Sequence, residues 1–266
     1  MRDTEKPIIE MRQIDKHYGG VHAVQGVNLD VYRGEVHALV GDNAAGKSTL
    51  IKILSGAVAK DAGTISFDGL RVEIAQPRDA KYLGIETVYQ DLALADNLDV
   101  PSNVFLGREI TKSGLLRFIL NNREMEDCSR SLLSRLKINI PNIRQRVRSM
   151  SGGQRQSIAI ARCVCFNARV VILDEPTAAL GVEETRKVYA LVREMRDQGL
   201  AVLLISHNLN HVFENCDRIT VLKTGRLVGS RRVTETSQDE ILRMIVSGVA
   251  GDSSIPAREP ARVATA

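Results

Sequence analysis

The run Gly41-Asp42-Asn43-Ala44-Ala45-Gly46-Lys47-Ser48-Thr49 fits G-x-x-x-x-G-K-[ST], a spacing that suits a phosphate chain. Glycines let the backbone turn tightly, so that bare N–H groups converge on an anion. A helix starting at the lysine adds the positive end of its dipole. Lys47 would neutralise the β and γ oxygens, and the Ser48 hydroxyl would sit on Mg²⁺. Far along the chain, four apolar residues lead into Asp174 and Glu175. Asp174 could hold Mg²⁺ directly or through water, and Glu175 could take a proton from an attacking water or polarise it. Gln90 offers a neutral amide able to touch metal or water. His207, after Leu203-Leu204-Ile205-Ser206, could donate to a γ-phosphate, although a structural histidine would look the same. Ser151-Gly152-Gly153-Gln154 is a second serine-glycine lead into a helix. It reads as a second anion site or, more plainly, as an N-cap with a flexible approach. One nucleotide hardly needs two such helices from one face, so a second copy of the chain could bring its own across.

These groups need elements to hold them. Residues 8–14 and 24–31 are β-like, with Tyr18 in the turn region between them. Residues 35–40 read as a buried strand feeding the phosphate loop, and 47–55 as the helix after it. Short strands are expected at 64–67 and 85–89, with a small helix at 78–83. Residues 121–136 carry helical spacing, with Met125, Cys128 or Ser129, Leu132 and Leu136 on one side. Further on come a helix after Gln154, a strand at 169–173, a helix at 182–198 closed by Gly199, a strand at 200–205 and a helix at 210–216. A hairpin turns at Lys223-Thr224-Gly225, and a last helix at 237–247 is capped by Ser237 and Glu240 as a capping box. Strands alternating with helices predict an α/β fold with a mainly parallel core sheet covered on both faces. In such sheets the polar residues just past the strand ends share one crevice. That rule gathers residues 41–49, Gln90, Asp174, Glu175 and His207. The chain reads as one domain at 8–247, with a helical insertion at about 97–148, a short arm at 1–7 and a tail at 248–266 whose Ala, Ser, Pro, Gly and Arg content predicts disorder.

Composition narrows the classes. The 266 residues are 44% apolar, enough for a real core. Aromatics make up 4% with no tryptophan, which argues against stacking platforms for single-stranded nucleic acid. The net charge of +4 is spread along the chain, so no nucleic-acid partner is expected. Cys128, Cys163, Cys165 and Cys216 lack paired spacing and read as reduced, mostly packed thiols. The first residues are charged with no apolar run behind them, so no signal peptide is expected. No stretch of about 18 apolar residues occurs, so any work at a membrane would go through a partner.

The order of phosphate loop, Gln90, Met150-Ser151-Gly152-Gly153-Gln154-Arg155, Ile172-Leu173-Asp174-Glu175-Pro176-Thr177 and His207 resembles the nucleotide-binding subunits of ATP-binding-cassette (ABC) transporters, over about residues 8–247. The resemblance implies a P-loop NTPase fold with an ABC-type antiparallel β subdomain, and ATP with Mg²⁺ as its ligands. It implies that Tyr18 stacks on adenine, that residues 41–49 wrap the triphosphate and that Gln90 senses metal and γ-phosphate. Glu175 would be the catalytic base and His207 the switch residue. Ser151, Gly152, Gly153 and Gln154 would close over ATP held by the other subunit of a head-to-tail homodimer. The insertion would dock on a multi-spanning permease at the cytoplasmic face of the bacterial inner membrane. Tyr89-Gln90-Asp91-Leu92-Ala93-Leu94, Asn97-Leu98, the run 103–109, Phe166-Asn167-Ala168-Arg169 and Ile205-Ser206-His207-Asn208 are similar to bacterial importers of the ribose, xylose and fructose group. A fructose-type importer served by a periplasmic sugar-binding protein is the most specific expectation. A soluble regulatory or ribosome-associated ATPase, or an exporter subunit, are the alternatives. Three positions depart from the family pattern: Ala44 for a glycine, Met150 for a leucine, and Gly181 for an aspartate.

Overall fold

The computed structural model describes residues 6–250. Most of the expected arm and tail therefore lie outside the described residues. The chain opens on a long hairpin, β1 (Ile9–Tyr18) and β2 (Val21–Val31), closed by Gly19 and Gly20. Both strands run further than their apolar pattern suggests. His17 pairs with His22, and Tyr18 with Val21, so the turn region expected around Tyr18 shrinks to Gly19 and Gly20. Cross-strand hydrogen bonds extend a ladder through polar residues that carry no apolar alternation.

β3 (Val36–Val40), buried throughout, runs into the phosphate loop and α1 (Lys47–Leu54). β4 (Ala62–Phe67) and β5 (Leu70–Val72) form a second hairpin at Asp68-Gly69, both residues at positive φ, as an Asp-Gly turn requires. α2 (Pro77–Tyr82) begins on its proline and precedes β6 (Ile85–Val88). α3 (Val100–Val104) and α4 (Asn122–Arg135) make up the insertion. α5 (Gly152–Val164), β7 (Val170–Asp174), α6 (Val182–Asp197), β8 (Ala201–Ile205) and α7 (Leu209–Asn215) alternate, before β9 (Arg218–Lys223), β10 (Arg226–Arg232) and α8 (Gln238–Ser247) end the domain.

Two sheets result. The smaller, β2-β1-β4-β5, is antiparallel. The larger has the order β10-β9-β3-β8-β7-β6, with β10 antiparallel at one edge and the other five strands parallel. β7 and β8 are apolar on both faces because both faces are covered. Val171, Leu173, Val202 and Leu204 pack toward α5, α6 and the insertion, while Val170, Ile172, Leu203 and Ile205 pack toward α1 and the small sheet. Because the five strands are parallel, the residues after Val40, Val88, Leu173 and Ile205 all emerge at the same edge.

Within the insertion, Met125, Leu132, Leu133 and Leu136 share one buried cluster with Val100, Val104 and Phe105, continuous with the core. Ser129 turns inward and Cys128 faces solvent. Cys163 and Cys216 are buried, Cys165 is half-buried, and all four thiols are free. The capping box expected at α8 forms by half. Ser237 accepts from the Glu240 amide, but the Glu240 carboxylate turns to Arg231 at 3.1 Å and Thr236 at 2.7 Å. A guanidinium offers a carboxylate a charge-assisted bond, which a neutral amide does not match.

Candidate functional site

The phosphate loop is held from behind. Gly225, at the β9–β10 turn, donates to the Ala45 carbonyl at 3.1 Å and accepts from Gln25 at 2.7 Å. Gly41 sits at φ +148, and a Cβ there would lie 2.1 Å from the Leu222 carbonyl oxygen. Only glycine lets the loop pass so close to β9. Ala44 takes φ +65 and is exposed. Its methyl group has room, and the cost lies in its backbone. The amides of Asn43, Ala44, Gly46, Lys47, Ser48 and Thr49 have no partner among the described residues, leaving a nest of free donors at the start of α1. Lys47 folds over that nest, donating to the carbonyls of Gly41 and Asp42 at 2.8 Å each. Burial lowers its pKa, against the pull of Glu175, Asp42 and Asp174.

Asp174 ends β7 beside it. Burial raises its pKa first, then the neighbouring Glu175 charge, while Lys52, Lys47 and His207 work the other way. Glu175 leaves the strand at φ +49 with its amide on the Ile205 carbonyl at 3.1 Å. This sends its side chain away from Asp174 and toward β8. There its Oε1 meets His207 Nε2 at 2.5 Å. Gln90 is exposed. A cleft of about 360 Å³ joins Gln90, Gly152, Arg155, Gln156 and Glu175. Phosphate loop, Asp174, Glu175, His207 and Gln90 thus converge, and Gly152 reaches their margin.

Ser151, Gly153 and Gln154 line a different hollow, together with Glu184 and Lys187. Ser151 and Gln154 cap each other, with the Gln154 amide on Ser151 Oγ at 3.3 Å and the Ser151 amide on Gln154 Oε1 at 3.1 Å. Glu184, on α6, lies against Ser151 and the amides of Gly153 and Gly181, which hold its pKa down. A Cβ on Gly153 would come within 2.9 Å of the Glu184 Cβ. Tyr18 stands apart, 46% exposed at the tip of the first hairpin. Lys16 Nζ lies 5.7 Å from its ring centre and is fixed by Asp61 at 2.6 Å.

Several supporting residues escape sequence reasoning. Arg162, on α5, donates to the carbonyls of Leu92 and Ala93 at 3.0 and 2.7 Å, tying the loop after Gln90 to the helix that begins at Gly152. Asn103 stitches the same loop through Ala95 and Asp99. Glu86 and Arg108 pair at 2.9 Å, with the guanidinium 4.4 Å over the Phe166 ring. They line a groove with Tyr89 and Leu106. Arg162 and the Glu86–Arg108 pair join residues far apart in the chain, and Asn103 reaches back only to Ala95 and Asp99; no regular spacing marks any of them.

A phosphate nest at the end of a parallel strand, a carboxylate pair on the next strand but one and a histidine between them define a P-loop ATPase domain. The profile of the ABC transporter family matches residues 24–178, and the chain belongs to that family as an ATP-binding domain. Among its relatives, the xylose/arabinose import ATP-binding protein of Sulfolobus acidocaldarius is 46% identical over 92% of this chain and 96% of that protein. The fructose import ATP-binding protein of Rhizobium meliloti is 47% identical over 84% and 87%. A ribose import ATP-binding protein of Rubrobacter xylanophilus is 44% identical over 97% of this chain, which spans 51% of that longer protein. Among solved structures, an ABC transporter subunit from Clostridium perfringens superposes with a TM-score of 0.75 at 28% identity, covering 91% of this chain and 95% of that one. A nucleotide-free ATP-binding cassette gives 0.77 at 24% identity, covering 91% and 95%, a likeness of fold.

Proposed function

We propose that this chain is the ATP-hydrolysing subunit of a membrane importer for a monosaccharide of the xylose, fructose and ribose class. It would work as a head-to-tail homodimer on a separate permease. The observation that carries the reading is the Glu175–His207 contact at 2.5 Å, formed beside a phosphate nest in a chain close to sugar-import relatives over nearly its whole length. Residues 41–49 wrap the triphosphate through the free amides, and Lys47 leaves the Gly41 and Asp42 carbonyls for the β and γ oxygens. Tyr18 offers its open face to adenine. Glu175 accepts the proton of the attacking water, and His207 holds the Glu175 carboxylate in place and reaches the γ-phosphate. The 151–154 segment of a second copy closes over the nucleotide.

Mg²⁺ fits the donors present. Asp174 and Glu175 are adjacent carboxylates, the former disfavoured as an anion where it stands. Ser48, in the first turn of α1, and Gln90, just past β6, add oxygens on exposed residues. Such hard oxygen donors beside a phosphate chain suit this ion. Bound there, it would neutralise phosphate charge. Ser48, Gln90 and Asp174 would hold it.

The groove of Tyr89, Leu106, Arg108 and Phe166 is the docking place for a cytoplasmic helix of the permease. A periplasmic sugar-binding protein would act on the far side. The chain would sit peripherally on the cytoplasmic face; among the described residues no helix is long and apolar enough to cross a membrane.

Glu175→Gln tests the central role. It should leave ATP binding intact, raise the dimer fraction in ATP on size-exclusion, and cut turnover at least ~100-fold. Undiminished turnover would remove Glu175 from the chemistry.

A further inference from the structure

The excursion between α3 and α4 is more than a loop. Lys112 donates its amide to the Ile119 carbonyl at 2.9 Å, Asn121 to Ile110 at 2.7 Å, and Thr111 bridges Leu120 antiparallel. A 3₁₀ turn, Gly114–Leu116, closes the tip. This small hairpin presents apolar side chains to solvent: Leu116, Ile119 and Leu120 are about half exposed and Phe118 is 83% exposed. Arg117 lies 5.0 Å over the Phe118 ring. Between Glu109 and Glu124 the chain carries Lys112, Arg117 and Arg123 and no acidic residue. Glu109 is turned back onto the Gly107 amide, and Glu124 onto Asn121.

We infer that this hairpin is a lipid contact, laying Leu116, Phe118 and Ile119 into the apolar edge of an anionic membrane surface while Lys112, Arg117 and Arg123 meet the headgroups. A protruding aromatic tip with cations beside it is the pattern of an interfacial anchor, where apolar bodies enter the acyl boundary and charged heads stay with phosphate. Charge separates this occupant from the obvious rival. Cytoplasmic loops of membrane-spanning proteins carry an excess of Lys and Arg and would repel a purely cationic hairpin, whereas the cytoplasmic leaflet is negative. Position agrees, because the hairpin begins just past Arg108 of the proposed permease groove. The contact would help to orient the subunit and would add to the hold of the permease. The inference rests on the reading that the subunit works at a membrane, but its test uses no transport.

The chain contains no tryptophan, so Phe118→Trp is a unique reporter. With the full chain and vesicles of mixed phosphatidylglycerol and phosphatidylcholine, its emission should shift to the blue, and not with phosphatidylcholine alone. Tyr82→Trp, an equally exposed aromatic elsewhere, should not shift with either. In co-sedimentation, each charge lost among Lys112, Arg117 and Arg123 should weaken binding about fivefold. Phe118→Ser should weaken binding at unchanged melting temperature, and added salt should weaken it further. Equal binding to neutral vesicles, no shift for Phe118→Trp, or Phe118→Ser sedimenting like the parent would each overturn the inference. So would Phe118→Ser releasing the chain from detergent-solubilised permease while vesicle binding stays intact, since the partner would then be protein. A chain that binds no permease yet shows the vesicle effects would sink the importer reading and leave this one standing.

Discussion

The phosphate loop and the 151–154 turn are both glycine-led helix starts, yet their surroundings differ. At the loop, six amides have no partner among the described residues, and Lys47 is held in reserve on carbonyls of Gly41 and Asp42. At the turn, Ser151 and Gln154 satisfy one another, and the Glu184 carboxylate already lies against Ser151 and the Gly153 amide. Lys47 folds over the first site, and Glu184 sets a carboxylate beside the second. Composition at a helix start therefore does not say whether it is ready for phosphate; the state of its donors does. The same contrast fits the proposed division of labour. On that reading the loop would take nucleotide unaided, while the turn would engage only when a second copy brings a phosphate that competes with Glu184.

Matched glycine substitutions offer the sharpest way to break this comparison. Gly41→Ala sets a Cβ 2.1 Å from the Leu222 carbonyl oxygen, in backbone that cannot swing aside. It should cost about 3 kcal/mol in denaturant unfolding and abolish ATP binding by the isolated chain. Gly153→Ala meets only the Glu184 side chain, at 2.9 and 3.0 Å. It should cost about 1 kcal/mol, leave ATP binding by the single chain unchanged and lower turnover of the assembled dimer. If Gly153→Ala weakened monomeric ATP binding as Gly41→Ala does, the two starts would serve the same nucleotide in one chain, and the head-to-tail arrangement would fall.

Acid should tell the two regions apart next. His37, on the strand feeding the loop, is buried with Nε2 on Thr220 Oγ1 at 2.7 Å. Burial pushes its pKa down to about 3, assisted by the Arg218 charge. The unfolded chain takes a proton on this ring near pH 6.5 while the folded one refuses it, so stability falls as pH drops below that value. The loss should be about 1 kcal/mol between pH 6.5 and 5.5, and His37→Gln should flatten it. Asp174, with its raised pKa, works in the opposite direction over a lower range. Glu184, whose pKa is lowered, loses its contribution to stability as pH falls from the ordinary carboxylate range toward its own lowered value. An identical pH slope in His37→Gln and its parent would show that the ring titrates freely in the folded chain.

What could be read beforehand follows from how local each signal is. The loop, Asp174, Glu175 and His207 each sit directly after an apolar strand, so residue type and strand end coincide within a few positions. α4 is found to within a residue because Asn121 caps it and its apolar residues keep a helical period. The first hairpin runs longer than its apolar pattern indicates because Lys16, His17 and Tyr18 are polar or turn-like, and only pairing with β2 makes them strand. Glu184, Arg162 and the Glu86–Arg108 pair were invisible for a stronger reason: each acts on a residue that the fold, not the chain, brings near. The half-formed cap of α8 is the same lesson reversed, since Arg231 outbids the amide that local spacing would choose for Glu240.

The smallest expected effect concerns Gly181, at the start of α6 and close to Glu184. Gly181 has the extended backbone of an N-cap, φ −70 and ψ 169, but no side chain to cap with. A Cβ there would meet nothing within 4 Å. An aspartate, the residue usual in the family, could reach the free amides of the first turn and complement the helix dipole. Glycine is itself a tolerable cap, so Gly181→Asp should raise stability by only a few tenths of a kcal/mol. Its charge would also stand near Glu184, which takes part of its hold from the Gly181 amide. Two carboxylates so placed repel, and Glu184 should loosen from Ser151 and Gly153. Turnover of the assembled dimer should then rise by more than the small gain in stability would suggest. Gain in stability without change in turnover would mean that Glu184 braces the turn without restraining it.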